Sequence, residues 1–268
     1  MSRHLLACLG DVAPQFASAR AGVFLFSDFD GTLAPIVPEP ALAQMRPELR
    51  ALLVDLSSRP GVRVSIVSGR ALADLRLRVG LKNLIYSGNH GLEIDGPGIA
   101  FVHPSSVETR PRMKAFSETL SRRLTQIDGV WVENKGLTLA VHFRLARAGS
   151  HQEIGTIVEA TVEQAPHRFR VTPGLKVLDI RPDVNWHKGD AVAWIRKAYD
   201  GLDAMPIYLG DDTTDEEAFA SLPGAITVRV GPHGKSAASY HLADPGEVEA
   251  FLAWLASPRG VRNGAHER

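Results

Sequence analysis

Apolar positions fall into two regimes along the chain. Val23-Phe24-Leu25-Phe26 is an unbroken apolar run, which predicts a strand buried on both faces, as in parallel sheets. A helical stretch from Pro47 to Leu56 leads to a second run, Val62 to Val67. Leu72, Leu75 and Val79 keep helical spacing, and Leu84-Ile85-Tyr86 makes a third strand. Strand, helix, strand, helix, strand predicts an α/β parallel sheet.

The rhythm then changes. Leu92 to Ile94 and Ile99 to Val102 flank Asp95-Gly96-Pro97-Gly98, a hairpin signal. Met113, Phe116, Leu120, Leu124 and Ile127 recur every three or four residues and predict a long helix. From Leu137 to Leu145 apolar and polar residues alternate. Leu137, Leu139, Val141, Phe143 and Leu145 share one face, and Thr138, Ala140, His142 and Arg144 the other. That predicts an antiparallel strand with one solvated or site-facing side. A helix at Ile154 to Val162 and strands near Phe169 and Val177 complete this unit. From Asn185 the first rhythm resumes: a helix with Val192 and Ile195, strands at 207–209 and 226–228, and a last helix through Val248, Phe251, Leu252 and Leu255. The expected organisation is a parallel-sheet domain over 1–105 and 185–268, interrupted by a smaller α/β domain over 106–184.

Composition removes several alternatives. With 268 residues, 44% of them hydrophobic, the chain buries a core without disulfides or structural metals. Thirty basic residues balance thirty acidic ones, so charge points to neither nucleic acid nor an anionic membrane as partner. The single cysteine, Cys8, cannot form an internal disulfide. The apolar stretch Leu5 to Leu9 is short for a targeting core, and no run approaches the ~20 residues of a membrane span. A soluble, cytoplasmic setting is the expectation.

Four polar motifs adjoin these elements, where open α/β sheets bind ligands. Asp28-Phe29-Asp30-Gly31-Thr32 leaves the first strand. Asp-Gly favours turns, but two carboxylates at i and i+2 also suit phosphoryl chemistry. One attacks phosphorus, and the other, held protonated by its neighbours, donates to the leaving oxygen. Ser68-Gly69-Arg70 ends the second strand; a serine there caps a helix or holds a phosphate with the same geometry. Lys188 opens a helix, where its charge opposes the dipole by ~0.3–1 kcal/mol, which suggests a nearby anion. Gly210-Asp211-Asp212-Thr213-Thr214-Asp215-Glu216-Glu217 follows a strand. Thr213 with Glu216, and Thr214 with Glu217, fit capping boxes, and Asp215 is assigned mainly to that role. Asp211 and Asp212 would repel Asp28 and Asp30 unless a cation such as Mg²⁺ lay among them.

In combination, these motifs resemble the haloacid dehalogenase (HAD) superfamily of aspartate-nucleophile phosphatases. Gly88-Asn89-His90-Gly91, Val132-Glu133-Asn134-Lys135-Gly136, Val141-His142-Phe143-Arg144 and the Gly210 to Glu216 segment resemble its trehalose-6-phosphate phosphatases. The resemblance runs from about Phe24 to about Val230. It implies a Rossmann-like core with an inserted α/β cap, hydrolysing trehalose 6-phosphate to trehalose and phosphate in trehalose biosynthesis. It implies Asp28 as nucleophile, Asp30 as acid and then base, and Lys188 with Ser68 as phosphate holders. Asp28, the backbone carbonyl of Asp30, and Asp211 are the implied Mg²⁺ ligands. Arg70, His90, Glu133, Lys135, His142, Arg144 and Asp179 match sugar-holding positions. The chain departs from the family at Gly174-Leu175-Lys176-Val177-Leu178-Asp179, where a Gly-Lys-Lys-x-x-Glu-like segment is usual. A trehalose-phosphate synthase is a candidate partner. The alternatives are another capped sugar phosphatase, for sucrose phosphate or mannosyl phosphoglycerate, and a non-catalytic sugar-phosphate-binding module.

Overall fold

The computed structural model describes residues 2–260 apart from 20, 166, 167, 233 and 259. Elements follow in the order β1 (Arg3–His4), α1 (Leu9–Ser18), β2 (Val23–Ser27), α2 (Pro47–Ser58), β3 (Val62–Val67), α3 (Leu72–Val79), β4 (Ile85–Gly88), β5 (Glu93–Gly96) and β6 (Ile99–Val102). Next come α4 (Pro104–Leu124), β7 (Trp131–Asn134), β8 (Leu139–His142), α5 (His151–Val162), β9 (Phe169–Gly174) and β10 (Val177–Pro182). The last stretch holds α6 (Lys188–Ala198), β11 (Met205–Gly210), α7 (Thr213–Ser221), β12 (Ile226–Val230), β13 (Tyr240–Leu242) and α8 (Pro245–Leu255).

Two compact units result, Met1–Ala100 with Trp186–Arg268, and Phe101–Asn185. The expected junctions at 105/106 and 184/185 lie a few residues from these. In the larger unit a nine-stranded sheet runs β1-β13-β12-β11-β2-β3-β4-β5-β6. Pairing is parallel from β1 through to β4 and antiparallel at β5. β2 is central, and all five of its residues are buried, which explains its unbroken apolar run. The chain leaves β2 toward β3 on one side and returns much later as β11 on the other. That reversal is a topological switch point, where strand ends splay and a ligand can enter. Leu25, Ile66, Leu209, Leu53 and Phe251 belong to one continuous core beneath it. The Leu5–Leu9 stretch joins that packing: Leu5 is buried, and Leu6, Cys8 and Leu9 lie against the same core.

The smaller unit is a four-stranded sheet, β7-β8-β10-β9, with antiparallel pairing throughout. Leu139, Val141 and Ile180 bury one face against Met113, Phe116, Leu120, Ile154 and Val158 of α4 and α5. Registry puts Glu133, Ala140, Asp179 and Thr172 in one row across the opposite face. Trp131, His142 and Val177 form the adjoining row. The strand expected from Leu137 to Leu145 is shorter than its alternation suggested. Beyond His142 the chain turns, with Phe143 N–H donating to the Lys176 carbonyl and Ala146 N–H to that of Phe143. Thr138 and Ala140, expected on a solvated face, are buried, while Leu145 is exposed.

Candidate active site

Three of the four motifs meet at the carboxyl ends of neighbouring strands. Asp28 directly follows β2, and its backbone N–H donates to the Leu209 carbonyl of β11 at 2.8 Å. This bond ties the tip of one strand to its neighbour and fixes where the carboxylate emerges. Lys188, the first residue of α6, donates from Nζ to Asp28 Oδ1 at 2.9 Å and to Asp215 Oδ1 at 2.7 Å. Both bonds are buried, and together they outweigh the unfavourable placement at a helix N-terminus. Tyr208 Oη donates to the same Asp215 oxygen at 2.8 Å. Carboxylate oxygens of Asp28, Asp211 and Asp215 all lie within 4.8 Å of one another.

The electrostatics follow from crowding and burial. Burial pushes the Asp28 carboxyl well above its ordinary range, and the charges of Asp215 and Asp211 push the same way against Lys188. Asp211 is raised from 3.8 to about 7, first by burial and then by Asp215. Burial disfavours the Lys188 charge, but Asp215 and Asp28 more than compensate and hold the ammonium firmly protonated. Burial, then Asp215, keep the Tyr208 phenol neutral far above its usual range. Three carboxyl groups crowd one ammonium and resist ionising together, a cost that a cation among them would relieve, and the donors are hard oxygens. That set fits a divalent, oxygen-seeking cation. Gly31, at φ +77°, keeps the approach open: a Cβ there would sit 2.0 Å from Asp211 Oδ2.

The acidic cluster therefore differs from the four carboxylates expected to converge. Of the four carboxylates predicted to converge, only Asp28 and Asp211 do so. The Asp30 side chain turns to Arg70. Asp212 is instead the N-cap of α7, with Asp215 as its reciprocal partner. The predicted boxes of Thr213 and Thr214 are displaced because α7 begins at Thr213, which makes the preceding aspartate the cap. Asp215 thus caps with Oδ2, as expected, while Oδ1 enters the site, which was not. The Gly-Asp-x-x-x-Asp spacing was the signal: one carboxylate ends a strand and the next, one helical turn on, points back to it.

Ser68 is buried at the end of β3, with N–H donating to the Ser87 carbonyl at 2.8 Å. It is not a helix cap. The N-cap of α3 is Ala71, and Ser68 Oγ accepts from the Arg70 amide at 3.2 Å. His90 N–H donates to the Ser68 carbonyl at 3.0 Å, and Asn89 N–H to that of Arg70 at 2.7 Å, zipping the two motifs together. Asn89 and His90 both hold positive φ, 49° and 58°, a cost of order 1–3 kcal/mol each that marks a constrained segment. The His90 ring lies over Gly69, where a Cβ would come within 2.5 Å of it.

The predicted sugar-holding residues of the smaller unit cluster on the polar face of its sheet. His142 Nε2 lies 2.8 Å from Glu133 Oε2, and its ring stacks on Trp131 at 4.7 Å. Lys135 Nζ donates to Asp179 Oδ1 at 3.2 Å. Arg144 stands apart, its Nη2 donating to the Leu175 carbonyl at 3.0 Å. Leu175, where the family usually has lysine, is exposed beside Lys176 in the short link between β9 and β10.

A parallel α/β core with a strand-end aspartate, a buried lysine and a cluster of acids, interrupted by a smaller α/β cap, defines a HAD-type phosphatase. Residues 26–245 match the family model described as trehalose-phosphatase, and the chain belongs to that family. It is 36% identical over 283 residues to "Trehalose 6-phosphate phosphatase RA3" of Zea mays, covering 98% of this chain and 77% of that protein. To "Trehalose-phosphate phosphatase" of Mycobacterium bovis it is 38% identical over 241 residues, 88% of this chain and 59% of that one. The chain therefore spans about three fifths of the mycobacterial relative's length. In fold it superposes on the C-terminal domain of C. albicans trehalose-6-phosphate phosphatase with a TM-score of 0.82, at 24% identity, covering 96% and 98% of the two chains.

Proposed function

We propose that the chain hydrolyses trehalose 6-phosphate to trehalose and inorganic phosphate. The observation that carries this reading is the buried Asp28–Lys188–Asp215 triad beside Asp211, which a binding module would not need. In this reading Asp28 attacks phosphorus through the oxygen not held by Lys188. The P–O bond to the sugar breaks, and an aspartyl-phosphate forms. Lys188 keeps Asp28 oriented and neutralises charge on the transferring group. Asp30 gives its proton to the departing sugar oxygen, then takes one from the water that hydrolyses the intermediate. Ser68 offers its hydroxyl to the phosphate.

Asp28, Asp211 and the backbone carbonyl of Asp30 would hold Mg²⁺, with Asp215 close by. A bound Mg²⁺ would supply charge neutralisation for the phosphate oxygens. Asp215 Oδ1 already accepts from Lys188 and Tyr208, and Oδ2 from the Asp212 amide. Its main work in this reading is to orient Lys188.

Within the smaller unit, Glu133, Lys135 and Asp179 are the proposed sugar-binding group, with Arg144 in the turn after β8; in the larger unit His90 is a proposed sugar-holding residue. The test is a panel of phosphorylated sugars with Mg²⁺. Trehalose 6-phosphate should be turned over with kcat/KM at least ~10-fold above sucrose 6-phosphate and mannosyl phosphoglycerate. A preference for either of the others would replace the substrate while leaving the chemistry in place.

A further inference from the structure

The resemblance assigns Arg70 to the substrate, but its guanidinium is already engaged. Nε donates to Asp30 Oδ2 and Nη2 to Asp30 Oδ1, each at 2.7 Å. This is a two-pronged grip on a single carboxylate. Nη2 also donates to the Pro40 carbonyl at 2.8 Å, and Nη1 to Asp74 Oδ2 at 2.7 Å. The Phe29 ring lies 5.4 Å from Cζ. Arg70 is 6% exposed.

Asp74, in the first turn of α3, carries a second arginine. Arg78 Nε donates to the same Oδ2 at 2.7 Å, and its Nη1 to the carbonyls of Ala41 and Ala43 at 2.9 and 3.3 Å. Charges of alternating sign therefore run Asp30, Arg70, Asp74, Arg78. The carbonyls along 40–43 are tied to the same chain of contacts. A planar guanidinium pinned at one end by Asp74 and Pro40 presents its other edge in a fixed direction. That edge is the one holding Asp30.

We propose that Arg70 and Asp74 are a positioning pair for Asp30, setting where its carboxyl sits when it exchanges a proton with the leaving and attacking oxygens. Neither touches the reacting atoms. Asp74 acts through Arg70, and Arg70 through Asp30. This inference rests on the reading of Asp30 as the acid and base.

The experiment compares trehalose 6-phosphate with p-nitrophenyl phosphate, whose acidic phenol hardly needs a proton to leave. Full-length Arg70→Lys, Asp74→Asn, Asp30→Asn and the Asp30→Asn/Asp74→Asn double variant are assayed with Mg²⁺, after circular dichroism shows each is folded. Arg70→Lys keeps the charge but cannot grip both oxygens. For it and for Asp74→Asn, kcat on trehalose 6-phosphate should fall by ~10- to 100-fold, within the range of general acid catalysis. KM should stay within ~3-fold, and the loss on p-nitrophenyl phosphate should be ~5-fold or more smaller. The double variant should be no slower than Asp30→Asn alone, because the pair acts only through that residue. A rise in KM with kcat retained would make Arg70 a substrate contact and overturn the proposal. Equal losses on both substrates, no loss on either, or additive losses in the double variant would overturn it as well. If Asp30→Asn itself loses both substrates equally, the acid–base reading falls and takes the pair with it. Selective loss in Asp30→Asn without it in Asp74→Asn sinks the pair alone.

Discussion

Lys188 holds Asp28 by one oxygen and leaves the other for the proposed attack on phosphorus, so the geometry at this residue makes a sharp demand. Asp28→Asn keeps the shape and one acceptor but removes the proposed nucleophile. Turnover of every phosphate ester should fall by at least ~10⁴-fold while the thermal midpoint stays the same or rises, since a crowded carboxylate has been neutralised. Rapid-quench detection of phosphorylated wild-type protein, absent in the variant, checks it. Asp215→Asn should do harm of another kind. One oxygen of Asp215 serves Lys188 and Tyr208 and the other caps α7, so the amide cannot satisfy all three donors. A loss of ~1–3 kcal/mol in stability should accompany the drop in kcat, measured by denaturant titration. Asp28 and Asp211 were legible in the sequence because each follows an apolar run, and Lys188 because a cation in the first turn of a helix opposes the dipole. Asp215, Tyr208 and Asp74 were not. A carboxylate in a first helical turn reads as a cap, and Asp215 is one; only its second oxygen has the other role. Tyr208 reads as one more apolar residue of β11, because its single polar atom carries no periodicity.

At the scale of elements, the cap sheet divides its labour by face. Leu139, Val141 and Ile180 pack on the helices, while Glu133, Lys135, His142 and Asp179 occupy the other side. Glu133→Ala or Lys135→Ala should therefore cost ~1.5–3 kcal/mol of transition-state binding with the sugar phosphate, about 10- to 150-fold in kcat/KM. Activity on p-nitrophenyl phosphate should fall by less than ~2-fold, since that ester has no second sugar to grip. Parallel losses on the two substrates would make these residues structural. The core strands β2, β3, β11 and β12 were readable within a few residues, because buried strands are rich in apolar residues; β1 and β13, two and three residues long, were not. β8 was read too long. Alternation continues through Leu145, but the ladder runs out because the facing strand β10 begins only at Val177; the Phe143 amide reaches the Lys176 carbonyl, and the chain then turns. Where a partner strand begins or ends leaves no trace in local pattern.

Across the whole molecule, the acid cluster couples folding to pH and to metal. Asp211 is raised from 3.8 to about 7 by burial and Asp215. A carboxyl raised on folding contributes stability that is full below about pH 3.8 and is lost as pH climbs through about 7. The metal-free protein should thus melt at a lower temperature near pH 8 than near pH 5.5 as far as this site is concerned. Mg²⁺ at the proposed site would bind the ionised cluster and so oppose that loss. Its increment in Tm, followed by differential scanning calorimetry, should be larger at about pH 8 than at about pH 5.5, by ~2–4 °C for each kcal/mol of extra binding. The same increment should shrink in Asp211→Asn. Equal increments at the two pH values would argue that the ion binds elsewhere.

The larger unit is assembled from both ends of the chain, and this governs how the protein is made. Asp28 and its lysine are 160 positions apart, and β2 finds its partner β11 only after the entire 101–185 unit has been synthesised. During translation β2, β3 and β4 emerge early, with one flank of β2 waiting for a strand not yet born. An apolar strand with an unpaired edge is prone to wrong pairing. The inserted unit, being continuous in sequence, has no such delay and can fold first. Any fragment that stops short of Met205 lacks β11 and leaves the Asp28 amide without the Leu209 carbonyl that fixes it. Hydrolytic activity and a properly closed sheet should therefore arrive together, late, and in a single step, during synthesis as during refolding from denaturant.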